Sequence, residues 1–160
     1  MHSAIFEITE AENIKDYEFE LCESSLYDEL GRHGFDYVSE KTNRKEDIEW
    51  LFGFLEEMPY IKCGKDNSGY FIEIMSTAKK ELTKEIWAEL NKIYKEHEEA
   101  VKNNADDISE GMVLYKMKKA IGNEYSFRFW EQGILNTFQS LITDYKAGKF
   151  YIGNTLDYHY

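Results

Sequence analysis

Residues 60–75 read YIKCGKDNSGYFIEIM. Two apolar runs, YIKC and GYFIEIM, flank KDNS, in which Asp66, Asn67 and Ser68 can bond their own backbone and Gly69 beyond them accepts a positive φ. The stretch is therefore predicted to be a β-hairpin. It also decides the fold class. Strands joined by a tight turn must run antiparallel, whereas each parallel pair needs a long crossover, usually a helix.

Helical periodicity lies on both sides of this hairpin. Asn43 followed by Glu46 has capping-box spacing, and Ile48, Leu51, Phe52 and Leu55 then recur on one face until Pro59 stops the helix. Beyond the hairpin, Ser76 or Thr77 opens about 28 helical residues, roughly 42 Å at 1.5 Å per residue. Leu82, Ile86, Leu90, Ile93 and His97 mark its seam, and mixed charge decorates the other side. NNADD at 103–107 breaks the chain, Asp106 or Asp107 caps a further helix seamed by Val113, Met117, Ala120 and Ile121, and Gly122 with Asn123 ends it.

The outer segments complete the order. SAIFEIT at 3–9 alternates Ala4, Phe6 and Ile8 against Ile5 and Glu7, the pattern of a half-buried strand. Ser24 or Ser25 is placed to cap a short helix through Leu26, Tyr27 and Leu30, with Gly31 and Gly34 available to end it. EYSFRFW at 124–130 alternates as a strand, residues 136–147 return to helix, and KFYIG and TLDYHY, joined through Gly153 and Asn154, are predicted to form a terminal strand pair. Strands thus come singly or as hairpins. The expected class is α+β: a single compact domain over residues 1–160, a mainly antiparallel sheet, and several helices including a long one near 77–103. No repeat, low-complexity segment or linker marks a boundary.

With 160 residues the chain can bury roughly 68–70% of its extended surface, and 42% hydrophobic and 16% aromatic content supplies a core. No run approaches the length of a membrane helix, and the N-terminus lacks the basic start and apolar stretch of a secretory signal, so a cytoplasmic protein without membrane contact is expected. Cys22 and Cys63 are expected to be reduced and buried and form no CxxC unit, which leaves a zinc site without support.

The net charge of −12 is unevenly placed: residues 1–31 hold nine acids against Lys15 alone. Direct nucleic-acid binding is disfavoured, because phosphate contact depends on Lys and Arg; a basic protein partner is favoured. The charge concentrates in DYEFELCESSLYDEL at 16–30, where acids alternate with Tyr17, Phe19 and Leu21. An extended segment of this kind buries an apolar face and displays only negative charge. An ordinary solvated face is the commoner origin of such a run, and a face read by a partner is the alternative carried forward. The candidate partner-binding residues are Asp16, Tyr17, Glu18, Phe19, Glu20, Glu23, Tyr27, Asp28 and Glu29: the acids for steering, the aromatics as exposed anchors.

Catalytic patterns are thin. Asp16, Glu18, Glu20 and Glu23 are dense enough for Mg²⁺, yet no Lys or Arg among them would hold a substrate phosphate. His97 lacks the second His of HExxH and belongs to an apolar seam. His159, two residues from Asp157, is the most suggestive acid/base pair, without a recognisable nucleophile. GRHG, GKDNSG and GNEYSF match no phosphate loop. Neither a catalytic residue, a metal ligand nor a cofactor is assigned.

These features favour a non-enzymatic acidic inhibitor that blocks a basic, nucleic-acid-binding surface of a partner protein. In size and charge alone it is similar to immunity-type factors and to the small acidic inhibitors of phages and mobile elements, and no motif carries the likeness. The alternatives are a small hydrolase using a divalent metal or the His159–Asp157 pair, and a structural protein that oligomerises through its aromatics.

Overall fold

The computed structural model describes residues 3–27, 37–40, 42–103, 110–122, 126–144 and 147–159. Its elements run β1 (Ala4–Glu10), a 3-10 helix (Glu23–Leu26), β2 (Tyr37–Ser39), α1 (Arg44–Leu55), β3 (Ile61–Asp66), β4 (Gly69–Ile74), α2 (Ala78–Lys102), α3 (Glu110–Gly122), β5 (Phe127–Glu131), β6 (Ile134–Thr137), α4 (Phe138–Asp144) and β7 (Gly148–His159). The fold is α+β with a mainly antiparallel sheet.

All the strands belong to one compact unit, Met1–Ala78 with Tyr125–Tyr160. Their order is β3-β4-β7-β1-β5-β6, with β2 also on β7. Among the described residues the one parallel pair is β1 with β5, where Phe6 lies opposite Phe129 and Glu7 opposite Trp130. The predicted hairpin is β3–β4, with Asp66 opposite Gly69 and Asn67–Ser68 between them. Asp66 holds the turn by accepting from the Ser68 amide at 2.9 Å, and it binds β7 by accepting from Tyr151 Oη at 2.8 Å and from the Lys149 ammonium. Lys149 in turn keeps the Asp66 carboxyl below the usual carboxylate range, at about 2.

β1 is not half-buried. Residues 4–9 are buried on both faces, because each face of the sheet has its own cover. Phe6, Phe127 and Phe129 face α1 and α4, whose Trp50, Phe54 and Phe138 rings meet Phe127 at 5.4–6.0 Å between centroids. Ile5, Trp130, Leu156 and Tyr158 face the other way, into a cluster closed by Leu21 and Leu26 with Val38 and Leu135 beside it. The cover on that side is the acidic N-terminal segment itself.

Several further expectations are corrected. The short helix after the acidic run is a 3-10 turn entered at Cys22 rather than capped by Ser24 or Ser25, and Leu30, Gly31 and Gly34 lie outside the described residues. α1 starts as predicted, but the Asn43 side chain makes no cap bond. Its first turn is tied to β7 instead: Arg44 donates from Nη2 to Ile152 O at 2.8 Å and from Nε to Gly153 O, and Thr155 Oγ1 donates to the buried Asp47 carboxylate at 3.0 Å. These bonds occupy the stretch of β7 between its β4 partners, which end at Tyr151, and its β2 partners, which begin at Asp157. The helix predicted for 136–147 starts at Phe138 rather than residue 136, because residues 134–137 pair with β5; it is described to Asp144, and residues 145 and 146 lie outside the described residues.

The largest correction concerns the C-terminus. KFYIG and TLDYH form one continuous strand, Tyr160 lying outside the described residues, and Gly153–Asn154 is a bulge in it rather than a turn. Opposite β1, Phe6 pairs with Thr155 and Ile8 with Ile152, so Glu7 alone faces both Gly153 and Asn154.

The second compact unit, Lys79–Glu124, holds most of α2 and all of α3. Leu82 and Ile93 of the predicted α2 seam are buried, with Ile86, Leu90 and His97 half-buried. Lys116 of α3 pairs with Glu96 of α2 at 3.8 Å. Ile121, predicted on the α3 seam, is exposed. The predicted caps Asp106 and Asp107 lie outside the described residues.

Candidate functional site

The candidate site is the segment 16–23, and its geometry begins with Glu7. A carboxylate in an apolar strand such as AIFEIT is costly unless its oxygens are hydrogen-bonded. Glu7 has no exposed surface. Its Oε1 accepts from the Glu20 amide at 2.8 Å and from Tyr17 Oη at 3.4 Å; its Oε2 accepts from the Leu21 amide at 3.2 Å and from the Asn154 amide at 3.4 Å. Asn154 serves the same segment from the bulge, donating from Nδ2 to Leu21 O at 3.3 Å and Phe19 O at 3.4 Å. Two side chains thus supply both acceptors and donors to a strap that belongs to no sheet.

Burial pushes the Glu7 carboxyl above its ordinary range, with the three amide bonds opposing. The Tyr17 hydroxyl is pushed up to about 12 by its own burial and then by the neighbouring Glu7 charge.

Gly153 supplies the third tether. A side chain there would overlap the Phe19 ring, which lies directly on the glycine. Phe19 also meets Tyr17 edge to face at 5.2 Å. Inward positions are therefore Tyr17, Phe19 and Leu21, and the intervening Asp16, Glu18 and Glu20 are exposed. Among the described residues no Lys or Arg forms an ion pair with these three acids. Asp16, Tyr17, Glu18 and Glu20 line an open hollow together with Trp130 and with Gln132 and Gly133 of the β5–β6 turn.

The remaining predicted residues stand differently. Glu23 is half-buried and exchanges bonds with Glu40, each carboxylate accepting the other's backbone amide at 2.9 Å. It acts as a clasp between the strap and β2. Tyr27 is exposed. Tyr17 and Phe19, expected as exposed anchors, are half-buried: the Tyr17 hydroxyl turns in to donate to Glu7, and Gly153 admits the Phe19 ring. Asp28 and Glu29 lie outside the described residues. His159 stacks on Tyr37 at 4.9 Å and stands 3.8 Å from Asp157 at the far end of β7. Among the described residues no three His, Cys, Asp or Glu side chains converge as metal ligands, and no helix is long and apolar enough to cross a membrane.

Sequence reasoning missed Glu7, Gly153 and Asn154. A single acid inside an apolar strand was the available signal for the first.

Both cysteines are free, and both are half-buried rather than buried as expected. The Ser24 and Ser25 hydroxyls, 3.0 and 3.2 Å from Cys22 Sγ, lower that thiol's pKa, while burial pushes Cys63 up to about 12. Under native conditions at neutral pH, iodoacetamide is expected to modify Cys22 at least about tenfold faster than Cys63, because the thiolate is the nucleophile. Peptide mapping over time reads the difference, and equal rates would place the two thiols in equivalent surroundings.

Comparison with protein families, curated proteins and solved structures finds no match to this chain.

Proposed function

We propose that this chain is a non-enzymatic binding protein whose acidic strap docks on a basic surface of another protein, and that Asp16, Glu18 and Glu20 provide the electrostatic contact. One observation carries the reading. Three exposed carboxylates, with no Lys or Arg ion-pair partner among the described residues, belong to a segment whose backbone is bonded to Glu7 and Asn154 and whose Phe19 ring lies on Gly153. A flexible acidic tail would lose conformational entropy on docking; a strap already held in place loses less. Clustered like charge also raises association rates with a cationic surface. A nucleic-acid-binding enzyme is the partner class that fits best, since its basic groove is built for closely spaced negative charges.

The test is the triple variant D16K/E18K/E20K, which leaves the inward side chains and Glu23 untouched. A partner recovered with the wild-type chain from its own cells is expected to be released by moderate salt. Its association rate with the variant is expected to fall about tenfold or more at low ionic strength, with the wild-type rate converging on the variant's as salt rises. Equal rates for both proteins at low salt would overturn the assignment.

A further inference from the structure

α2 has a second apolar stripe beside its seam. Trp87, Tyr94 and Val101 are spaced by seven residues and are 61%, 59% and 61% exposed. Leu90 and His97, three residues beyond Trp87 and Tyr94, are half-buried and complete a 3-4 spacing, the pattern of a helix that packs along another helix. From Trp87 to Val101 the stripe runs about 21 Å. Exposed aromatic and β-branched side chains in continuous register call for a cover.

The residues flanking the stripe say what that cover is. Lys84, Asn91 and Glu98, also seven apart and exposed, run positive, neutral, negative along one border. That order is its own complement under a two-fold axis. When a second α2 lies antiparallel with Asn91 opposite Asn91, Lys84 of each copy meets Glu98 of the other. The same register sets Trp87 beside the other copy's His97 and Tyr94 beside its Leu90, the layer pairing of an antiparallel helix pair. Parallel pairing offers no such charge match. Lys84 pairs with Glu81 at 2.8 Å and Glu98 with Lys102 at 3.1 Å on their own helix, in exposed pairs that rearrange at little cost.

We propose that α2 pairs antiparallel with α2 of a second copy of this chain, through Trp87, Leu90, Tyr94, His97 and Val101, with Lys84–Glu98 contacts fixing the register. The residues involved are not those of the acidic strap, and the pairing does not depend on the strap's having a partner.

Sedimentation velocity on the full chain at micromolar concentration tests it. The wild type is expected to form a dimer. K84E and E98K each turn two attractive contacts into two repulsive ones and are expected to weaken it about tenfold at low salt. An equimolar mixture of the two variants is expected to form a heterodimer of near wild-type affinity, since each copy then supplies what the other lacks. The mixture also controls for altered pairing within the helix, and circular dichroism for helix content. A wild-type chain that stays monomeric at about a hundred micromolar, where any interface of this class would be populated, overturns the proposal. Single variants that dimerise like the wild type, or a mixture no tighter than its components, do the same.

Discussion

Replacing Glu7 with alanine is expected to lower the stability of the sheet-bearing unit by about 3 kcal/mol and to free the acidic strap from the sheet. The estimate rests on what the substitution leaves behind. The amides of Glu20, Leu21 and Asn154 lose their common acceptor, and an unsatisfied buried donor costs about 1–3 kcal/mol, reduced where the loosened strap lets water in. A small cavity under the strap adds to the loss. Urea unfolding reads the change, and limited proteolysis within 11–22 reads the release. Glu7→Gln is expected to be milder, because its amide oxygen can keep the bond from Glu20 while its amino group faces the donors that Oε2 accepted. Its pH dependence should differ too. The folded state holds the Glu7 proton more tightly than the unfolded chain does, so this group's contribution is full below the ordinary glutamate range and falls as pH rises through the folded value. The Gln variant loses that slope. Stability of Glu7→Ala within about 0.5 kcal/mol of wild type, the usual spread for surface changes, would remove Glu7 as the tether.

Gly153→Ala is expected to cost about 1–3 kcal/mol, the range for inserting a group into a packed site. Alanine is otherwise well tolerated in an extended strand, and Gly153 does not have the positive φ that Gly69 and Gly133 have. Backbone strain therefore contributes little, and the penalty comes from the Phe19 ring that the new methyl group displaces. A double-mutant cycle isolates it. In a Phe19→Ala background the same glycine change is expected to cost under about 0.5 kcal/mol, because the space has been vacated. A full penalty in both backgrounds would mean that Gly153 matters for a reason other than Phe19.

The class of the fold was legible because hairpin chemistry is local. Asp66 to Gly69 form the turn as read, and the seam of α1 is buried at Ile48, Leu51 and Leu55. Other signals were ambiguous in themselves. Gly153–Asn154 reads as a turn, yet the same residues suit a bulge, and only the partner strand decides between them. The β5–β6 turn was missed because Gln132 takes a positive φ of 48° beside Gly133, a conformation usually signalled by Asn or Asp. The alternation of acids and aromatics at 16–21 did foretell which side chains turn outward. It carried no trace of what holds the inward ones, since Glu7 and Asn154 are distant in sequence from the strap they bind. Glu23 illustrates the limit: identical in type to Glu18 and Glu20, it is drawn out of the charged row by the Glu40 amide.

Amide hydrogen exchange at Glu20 and Leu21 is the most direct test of a strap fixed to the sheet with its acids outward. These amides lie outside any helix or strand, so without the Glu7 carboxylate they would exchange like those of an open loop. Protection of both by about a hundredfold or more over random coil, lost together in Glu7→Ala, is the expected result. Exchange of both at random-coil rates in the wild-type protein would show that nothing holds the acidic segment in place.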